Sequence, residues 1–258
     1  MRLTVCELPE DRSAFERAWN DLVDHVAAEE SDLVLLPEMP FAQWLPASPD
    51  DDSAAWQQAV TAHDEWITCL DEFAPATVLL SRPTIRHDRR LNEGLMWTPA
   101  DGIETTHEKR YLPEEPGFWE ASWYDSGRRE FTPVKCAGAL TGFLICTDLW
   151  AAEKARSYGQ SGAHLIANPR ATEACTLEKW RAGGQAMSVV SGSFVASSNR
   201  VTIEDDQSDV IFGGEGWIVD PDGTMIARTS QGQPFVTIDV DLDVAERAKE
   251  TYPRPAFL

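Results

Sequence analysis

Short apolar runs alternate with amphipathic segments along nearly the whole chain, and this alternation narrows the available folds more than any other feature of the sequence. A brief aliphatic run fills a buried strand, and an amphipathic stretch covers a sheet with its one apolar stripe. Residues 3–8 read as a strand, and residues 13–29 as a helix with Phe15, Ala18, Trp19, Leu22, Val23 and Val26 on one face. Leu33-Val34-Leu35-Leu36 is a buried strand stopped by Pro37-Glu38. Ser53, after the acid run Asp50-Asp51-Asp52, caps a helix expected to reach Phe73. Residues 77–86 and 91–98 then form antiparallel strands, followed by a turn at Asp101-Gly102 and a strand running into Lys109.

The second half repeats the pattern, with strands at residues 142–146, 164–167 and 194–197 and helices at 151–159 and 173–190. Trp217-Ile218-Val219 and Met225-Ile226-Ala227 flank Asp220-Pro221-Asp222-Gly223, whose residues suit a tight turn, and residues 235–240 supply the last strand. The chain is α/β, but it has more strands than one doubly wound sheet of this length needs. Two sheets stacked face to face with helices outside accommodate them. At 258 residues and 43% hydrophobic content there is enough apolar material for one large core, and no shift in composition divides residues 1–258 into two domains.

Charge and composition exclude several classes of function. A net charge of −21 repels nucleic acids and anionic membranes, so a small-molecule substrate is expected. The acid runs, Asp50-Asp51-Asp52 and Asp205-Asp206 among them, are read as solvated loops, with adaptation to high salt as the alternative. No apolar stretch is long enough to span a bilayer, and the N-terminus reads as the first strand of a cytoplasmic protein. The five cysteines include no C-x-x-C pair and the five histidines are scattered, which argues against a disulfide framework and a metal site. Nothing calls for a cofactor.

Three residues with chemistry to offer stand at strand ends: Glu38 after Leu33 to Pro37, Lys109 after Thr105 to Glu108, and Cys146 after Leu144-Ile145. In open α/β sheets, strand ends are where side chains from distant parts of the chain converge on a ligand. A glutamate can take a thiol proton, the thiolate can attack an electrophilic carbon, and an ammonium can stabilise the oxyanion that develops. Cys146 also precedes an expected helix, whose N-terminal dipole would favour a thiolate. Singly, each residue also fits a plain role, as surface charge or as a small core side chain. His164 lies in an apolar strand and is read as packing.

The flanking segments LVLLPEMP (33–40), HEKRYLPEE (107–115) and FLICTDLWAAE (143–153), with Gly162 to Ile166, Asn168-Pro169 and Ser198-Asn199-Arg200, resemble the carbon-nitrogen hydrolase family, also called the nitrilase superfamily. The resemblance runs nearly end to end. It implies a four-layer α-β-β-α sandwich, pairing into a homodimer or higher homo-oligomer, and a Glu-Lys-Cys triad at Glu38, Lys109 and Cys146. It further implies an assisting glutamate, for which Glu115 is the better match and Glu114 and Glu120 are rivals, and an oxyanion hole combining Lys109 with the Thr147 N–H. A small amide is the expected substrate and a nitrile the alternative, because Thr147-Asp148 shares its Asp with many amidases of the family. A catalytically silent binding protein with the same fold is the rival from another class. Trp119, Thr147 and Trp150, together with Phe118 and Trp123, are candidates for the substrate pocket, and Arg170 is a candidate for holding an anionic substrate group. Gly183-Gly184 departs from the family's usual residues and puts two glycines in an expected helix, at a real cost in propensity.

Overall fold

In the computed structural model, which describes residues 1–203 and 210–257, two β-sheets meet at a shared first strand. The acid pair Asp205-Asp206 lies outside the described residues. Along the chain the elements are β1 (Arg2–Pro9), α1 (Arg12–Ala28), β2 (Leu33–Leu35), α2 (Ser53–Ile67), β3 (Thr77–Arg86), β4 (Arg89–Thr98), β5 (Gly102–Glu108), α3 (Glu120–Trp123), β6 (Val134–Cys136), β7 (Ala139–Phe143), α4 (Ala152–Gln160), β8 (Leu165–Arg170), α5 (Leu177–Ser191), β9 (Phe194–Val201), β10 (Trp217–Val219), β11 (Met225–Arg228), β12 (Phe235–Asp239) and α6 (Leu242–Lys249). Leu3, Thr4 and Val5 of β1 lie parallel to β2, while Glu7, Leu8 and Pro9 lie parallel to β9. One sheet runs β5-β4-β3-β2-β1, and the other runs β9-β8-β7-β6. β12 pairs antiparallel with β1, and β10 joins β9 to β11.

Side-chain alternation turns these sheets into layers, because successive residues of a strand point to opposite faces. Leu3, Val5, Leu33, Leu35 and Leu79 of the first sheet pack with Phe143, Leu165, Ala167, Phe194 and Ile218 of the second, forming the inner core. On the outer side of the first sheet, Val34, Val78 and Leu80 meet Phe15, Trp19, Leu22 and Val26 of α1. On the outer side of the second, Ile166, Val195 and Trp217 meet Ala155, Tyr158, Trp180 and Met187 of α4 and α5. The order is helix, sheet, sheet, helix. Each large aliphatic side chain taken fully out of water in this way contributes about 1.5–3 kcal/mol before entropy is counted.

Several element ends differ from the sequence expectation for local reasons. The cap of α2 is Asp52, whose side chain accepts the Ala54 N–H at 2.7 Å, and Ser53 is the first helical residue. That helix stops at Ile67: Thr68 and Cys69 donate to Glu65 and Trp66, a tightening into 3-10 geometry, and Pro75 lies ahead. β7 ends at Phe143, three residues before Cys146, which opens a 3-10 turn over Cys146–Trp150. β9 runs on through Asn199-Arg200 to Val201, and α5 begins at Leu177 because Glu173 is held in a bridge to Phe212. Among the described residues no helix is long and apolar enough to cross a membrane.

Candidate active site

Each of the three expected residues is presented by a different strand end. Glu38 follows β2 in a turn where Met39 takes a left-handed conformation, φ 42°. Buried Arg200 holds that turn, with its Nε donating to the Glu38 carbonyl at 3.1 Å and its Nη2 to the carbonyls of Met39 and Ala42. The Glu38 N–H donates to the Arg170 carbonyl at 3.3 Å, so this turn is tied to the second sheet.

Lys109 comes directly after β5 and is clamped by its backbone, donating to Asn92 O at 2.8 Å and accepting from the Gly127 N–H at 2.7 Å. The next two amides, of Arg110 and Tyr111, donate to Asp148 Oδ1 at 3.1 and 2.9 Å. Asp148 Oδ2 lies 2.8 Å from His107 Nε2. The residue after Thr147 therefore holds the chain on both sides of Lys109, through the His107 ring before it and two backbone amides after it.

Cys146 has φ 46°, a left-handed conformation that costs a non-glycine residue roughly 1 kcal/mol or more and is found where surrounding structure enforces it. Asn168 enforces it here, its Nδ2 donating to the carbonyls of Leu144 and Cys146. Ser197 in turn donates to Asn168.

At the centre, Lys109 Nζ lies between two buried carboxylates, 2.7 Å from Glu38 Oε1 and 2.5 Å from Glu120 Oε2. Asn92 Nδ2 also donates to Glu38 Oε1, at 2.7 Å, and the Tyr124 hydroxyl donates to Glu120 Oε2. In both carboxylates all of this falls on one oxygen. Glu38 Oε2 and Glu120 Oε1 are buried without a partner.

These contacts set the protonation states. Burial works against the Lys109 ammonium, but Glu120 and Glu38 outweigh it and hold the pKa above the usual lysine value. Burial pushes Glu120 above the ordinary carboxylate range, against the attraction of Lys109. Burial likewise raises the Cys146 thiol well above its ordinary value; Glu38 adds to the rise and Lys109 opposes it. This corrects the expectation of a thiolate favoured by a helix dipole. Cys146 opens only a five-residue 3-10 turn and is 2% exposed, so desolvation prevails and the resting thiol keeps its proton.

Cys146 and Glu120 reach the surface through a cleft of about 70 Å3 whose wall includes Glu115, Phe118, Thr147, Thr172, Glu173 and Trp180. Thr147 lies in this wall, its hydroxyl donating to Tyr111 O at 2.5 Å. Glu115 is at the exposed mouth of the cleft, and it is Glu120 that touches Lys109. The turn formed as Glu115 and Phe118 pair through their backbones sends Glu115 outward and brings Glu120, on α3, inward.

Four other substrate candidates are not in the cleft wall. Arg170 is fully buried behind it, donating to Ser197 Oγ at 2.8 Å, Thr172 Oγ1 at 2.5 Å and the Glu215 carbonyl. Trp150 is 47% exposed and leans on Trp180 from outside. Trp119 packs beside Trp44, Trp56 and Phe118, with its backbone N–H donating to Pro46 O at 2.8 Å. Trp123 is buried in the same cluster, its indole donating to Ser48 O at 2.7 Å. His164 sits away from the cleft, bonded to Leu140 N–H and paired with Glu246.

Asn92, Tyr124, Asn168 and Trp180 were not anticipated. Trp180 shares the apolar face of α5 with Met187 and so reads as core. Tyr124 stands four residues after Glu120, the spacing of helical neighbours, and that spacing was a usable signal.

A family model described as Carbon-nitrogen hydrolase matches residues 2–250. The chain is similar to 2-oxoglutaramate amidase of Paenarthrobacter nicotinovorans, 25% identical over 96% of this chain and 83% of that protein. A carbon-nitrogen hydrolase from Helicobacter pylori G27 has the same fold, with TM-score 0.88 at 18% identity, covering 100% of this chain and 95% of that one. So has a mutant of the amidase from Nesterenkonia sp. AN1, solved with the acetamide moiety of fluoroacetamide added covalently at the active site cysteine: TM-score 0.78 at 16% identity, covering 100% of this chain and 97% of that one. With a family model spanning all but the first residue and the last few, and a layered fold matched from end to end, the chain belongs to the carbon-nitrogen hydrolase family and is an enzyme of that family.

Proposed function

We propose that the protein hydrolyses small amides, with Cys146 as nucleophile, Glu38 as general base and Lys109 as the charge that stabilises the oxyanion. The observation that carries this reading is the bare, buried oxygen of Glu38, whose other oxygen is held by Lys109 and Asn92 and whose charge is felt by the buried Cys146 thiol. Leaving a buried acceptor unpaired costs about 1–3 kcal/mol, and a proton arriving from the thiol removes that penalty.

The steps follow from the charges. Burial and the neighbouring Glu38 carboxylate disfavour a standing thiolate more than Lys109 favours it. Proton transfer from Sγ to Glu38 is therefore coupled to attack of sulfur on the amide carbon, which moves the charge onto the carbonyl oxygen. Lys109 Nζ and the Thr147 N–H, one of the first amides of the 3-10 turn and so without a partner inside it, receive that oxyanion. Glu38 then protonates the departing amine or ammonia, leaving a thioester on Cys146. Glu38 takes a proton from water as that water attacks the thioester. The acid is released and the thiol restored. Glu120, whose burial favours its protonated form, takes the assisting role that sequence had given to Glu115, and holds Lys109 from the side opposite Glu38. The amidase names among the relatives support an amide as substrate.

A panel of short amides and nitriles, followed by ammonia release, tests this reading. Cys146→Ala is expected to abolish turnover. Glu38→Gln loses a general base commonly contributing about 10²- to 10⁴-fold. Lys109→Ala loses an oxyanion donor of about 3 kcal/mol. All three should be assayed in protein shown to be folded by its near-UV spectrum. Turnover of nitriles and not of amides would contradict the substrate class.

A further inference from the structure

We propose that the cleft above Cys146 selects amides whose far end carries a positive charge, an ammonium or a guanidinium, and discriminates against amides ending in a carboxylate. This deepens the amidase reading and rests on it for the reacting group.

The charges that line the cleft are of one sign: Glu115 and Glu173 contribute them, Glu120, paired with Lys109, is also in the wall, and no Lys, Arg or His is. Glu120 is held on one oxygen by Lys109, while its other oxygen is fully buried with no partner. Among the described residues neither Glu115 nor Glu173 forms an ion pair, and residues 204–209, Glu-Asp-Asp-Gln-Ser-Asp, contain no cation that could supply one. The cations behind the wall are committed elsewhere. Arg170 is bonded to Ser197 and Thr172, and Arg181 lies 2.5 Å from Glu215. The anion-holding role expected of Arg170 is therefore unfilled.

The hydroxyls of the wall have the matching polarity. Thr147 and Thr176 spend their protons on the carbonyls of Tyr111 and Glu173, at 2.5 and 2.8 Å, so what they offer the cleft is lone pairs. Thr172 accepts from Arg170 and alone keeps its proton. Carboxylate oxygens and acceptor hydroxyls complement a group made of N–H donors. Phe118 and Trp180 add the ring types that attract cations. A carboxylate in the same place would meet like charge.

The test uses a length-matched series: pentanamide, 5-aminopentanamide and glutaramate, with kcat/KM measured at about 0.15 M salt, where fields beyond roughly 8 Å are screened. A second arm measures labelling of Cys146 by 2-aminoethyl methanethiosulfonate, a cation, and by 2-sulfonatoethyl methanethiosulfonate, an anion. Each rate is normalised to free cysteine and read by peptide mass in a Cys69→Ser, Cys175→Ser background. We expect the cationic amide and the cationic reagent to be favoured over the anionic ones by roughly tenfold or more. Each partly solvated charge pair contributes about two- to fivefold, so Glu115→Gln with Glu173→Gln should reduce the preference by roughly fivefold or more. Asp21→Asn with Asp24→Asn removes two exposed charges on α1 and should leave the preference unchanged. Equal rates for both signs, or a preference that survives Glu115→Gln and Glu173→Gln, overturns the proposal. Charge-selective labelling with no amide of the series hydrolysed overturns the amidase reading and leaves the charge selection standing; hydrolysis with glutaramate as good as 5-aminopentanamide does the reverse.

Discussion

Glu38 and Glu120 share an arrangement in which every donor falls on one carboxylate oxygen and the other is left bare in a buried site. Arg170 shows the opposite arrangement. Each of its guanidinium nitrogens has a protein acceptor, and burial lowers its pKa to about 10. The first arrangement keeps acceptors open for a reacting partner, while the second belongs to a residue that holds structure. Arg170→Met should therefore leave Ser197, Thr172 and the Glu215 carbonyl short of a partner and destabilise the protein by about 3 kcal/mol. For a domain of this size that is a fall in melting temperature of roughly 6–12 °C by calorimetry. An unchanged melting temperature with a raised KM for a carboxylate-bearing amide would instead put Arg170 in contact with substrate. At this scale the sequence was half legible. Glu38, Lys109 and Cys146 could be picked out because each follows a strand, but the choice between Glu115 and Glu120 depended on which way a short turn faces, and five residues of Glu, Pro, Gly and aromatics do not encode that by spacing alone. Arg170 also follows from this limit: a lone arginine after Asn168-Pro169 looks the same whether it points into the cleft or behind it.

Helix α5 carries Gly183 and Gly184 against its own propensity, and packing explains both. A Cβ on Gly184 would come within 2.3 Å of the Trp217 ring, which is fully buried, and a Cβ on Gly183 within 2.8 Å of the Trp150 ring, which is 47% exposed. Both substitutions by alanine gain about 1 kcal/mol in helix propensity, but only one of the two opposing rings can move aside. Gly184→Ala should lower stability by about 1–3 kcal/mol through overpacking, while Gly183→Ala should be near neutral, a contrast readable as a difference in melting temperature. Equal effects would mean that Trp150 is as firmly held as Trp217. Elements were legible in proportion to their length and periodicity. The stripe of Phe15, Trp19, Leu22 and Val26 and the paired strands β3 and β4 appear as read. The turn at Cys146 does not, because the apolar run from Ala139 to Ile145 gives no sign of where the chain leaves the sheet. α3, β6 and α6 are too short to show a period.

The whole molecule brings to one point residues that sequence separates widely: Lys109 reaches Glu38 across 71 positions. β1 makes this possible, since its first half belongs to the sheet that presents Glu38 and Lys109 and its second half to the sheet that presents Cys146. The stacking of two sheets could be inferred from the number of strands, but the register that aligns their ends could not, because β1 divides its pairing between β2 and β9 within eight residues and alternation is blind to that. The acidic composition works at the same scale. With Asp and Glu at 43 and Lys and Arg at 22, the surface field favours cations before any contact is made, and the cleft then adds its local selection. Everything proposed about function converges on one intermediate, a thioester at Cys146. Intact-mass spectrometry of enzyme quenched in acid during turnover of a short amide tests it most directly. The prediction is an added mass equal to the amide less ammonia, mapped to the peptide containing Cys146 and absent from a folded Cys146→Ala variant that also releases no ammonia. Ammonia release by that variant at a rate near wild type would contradict it.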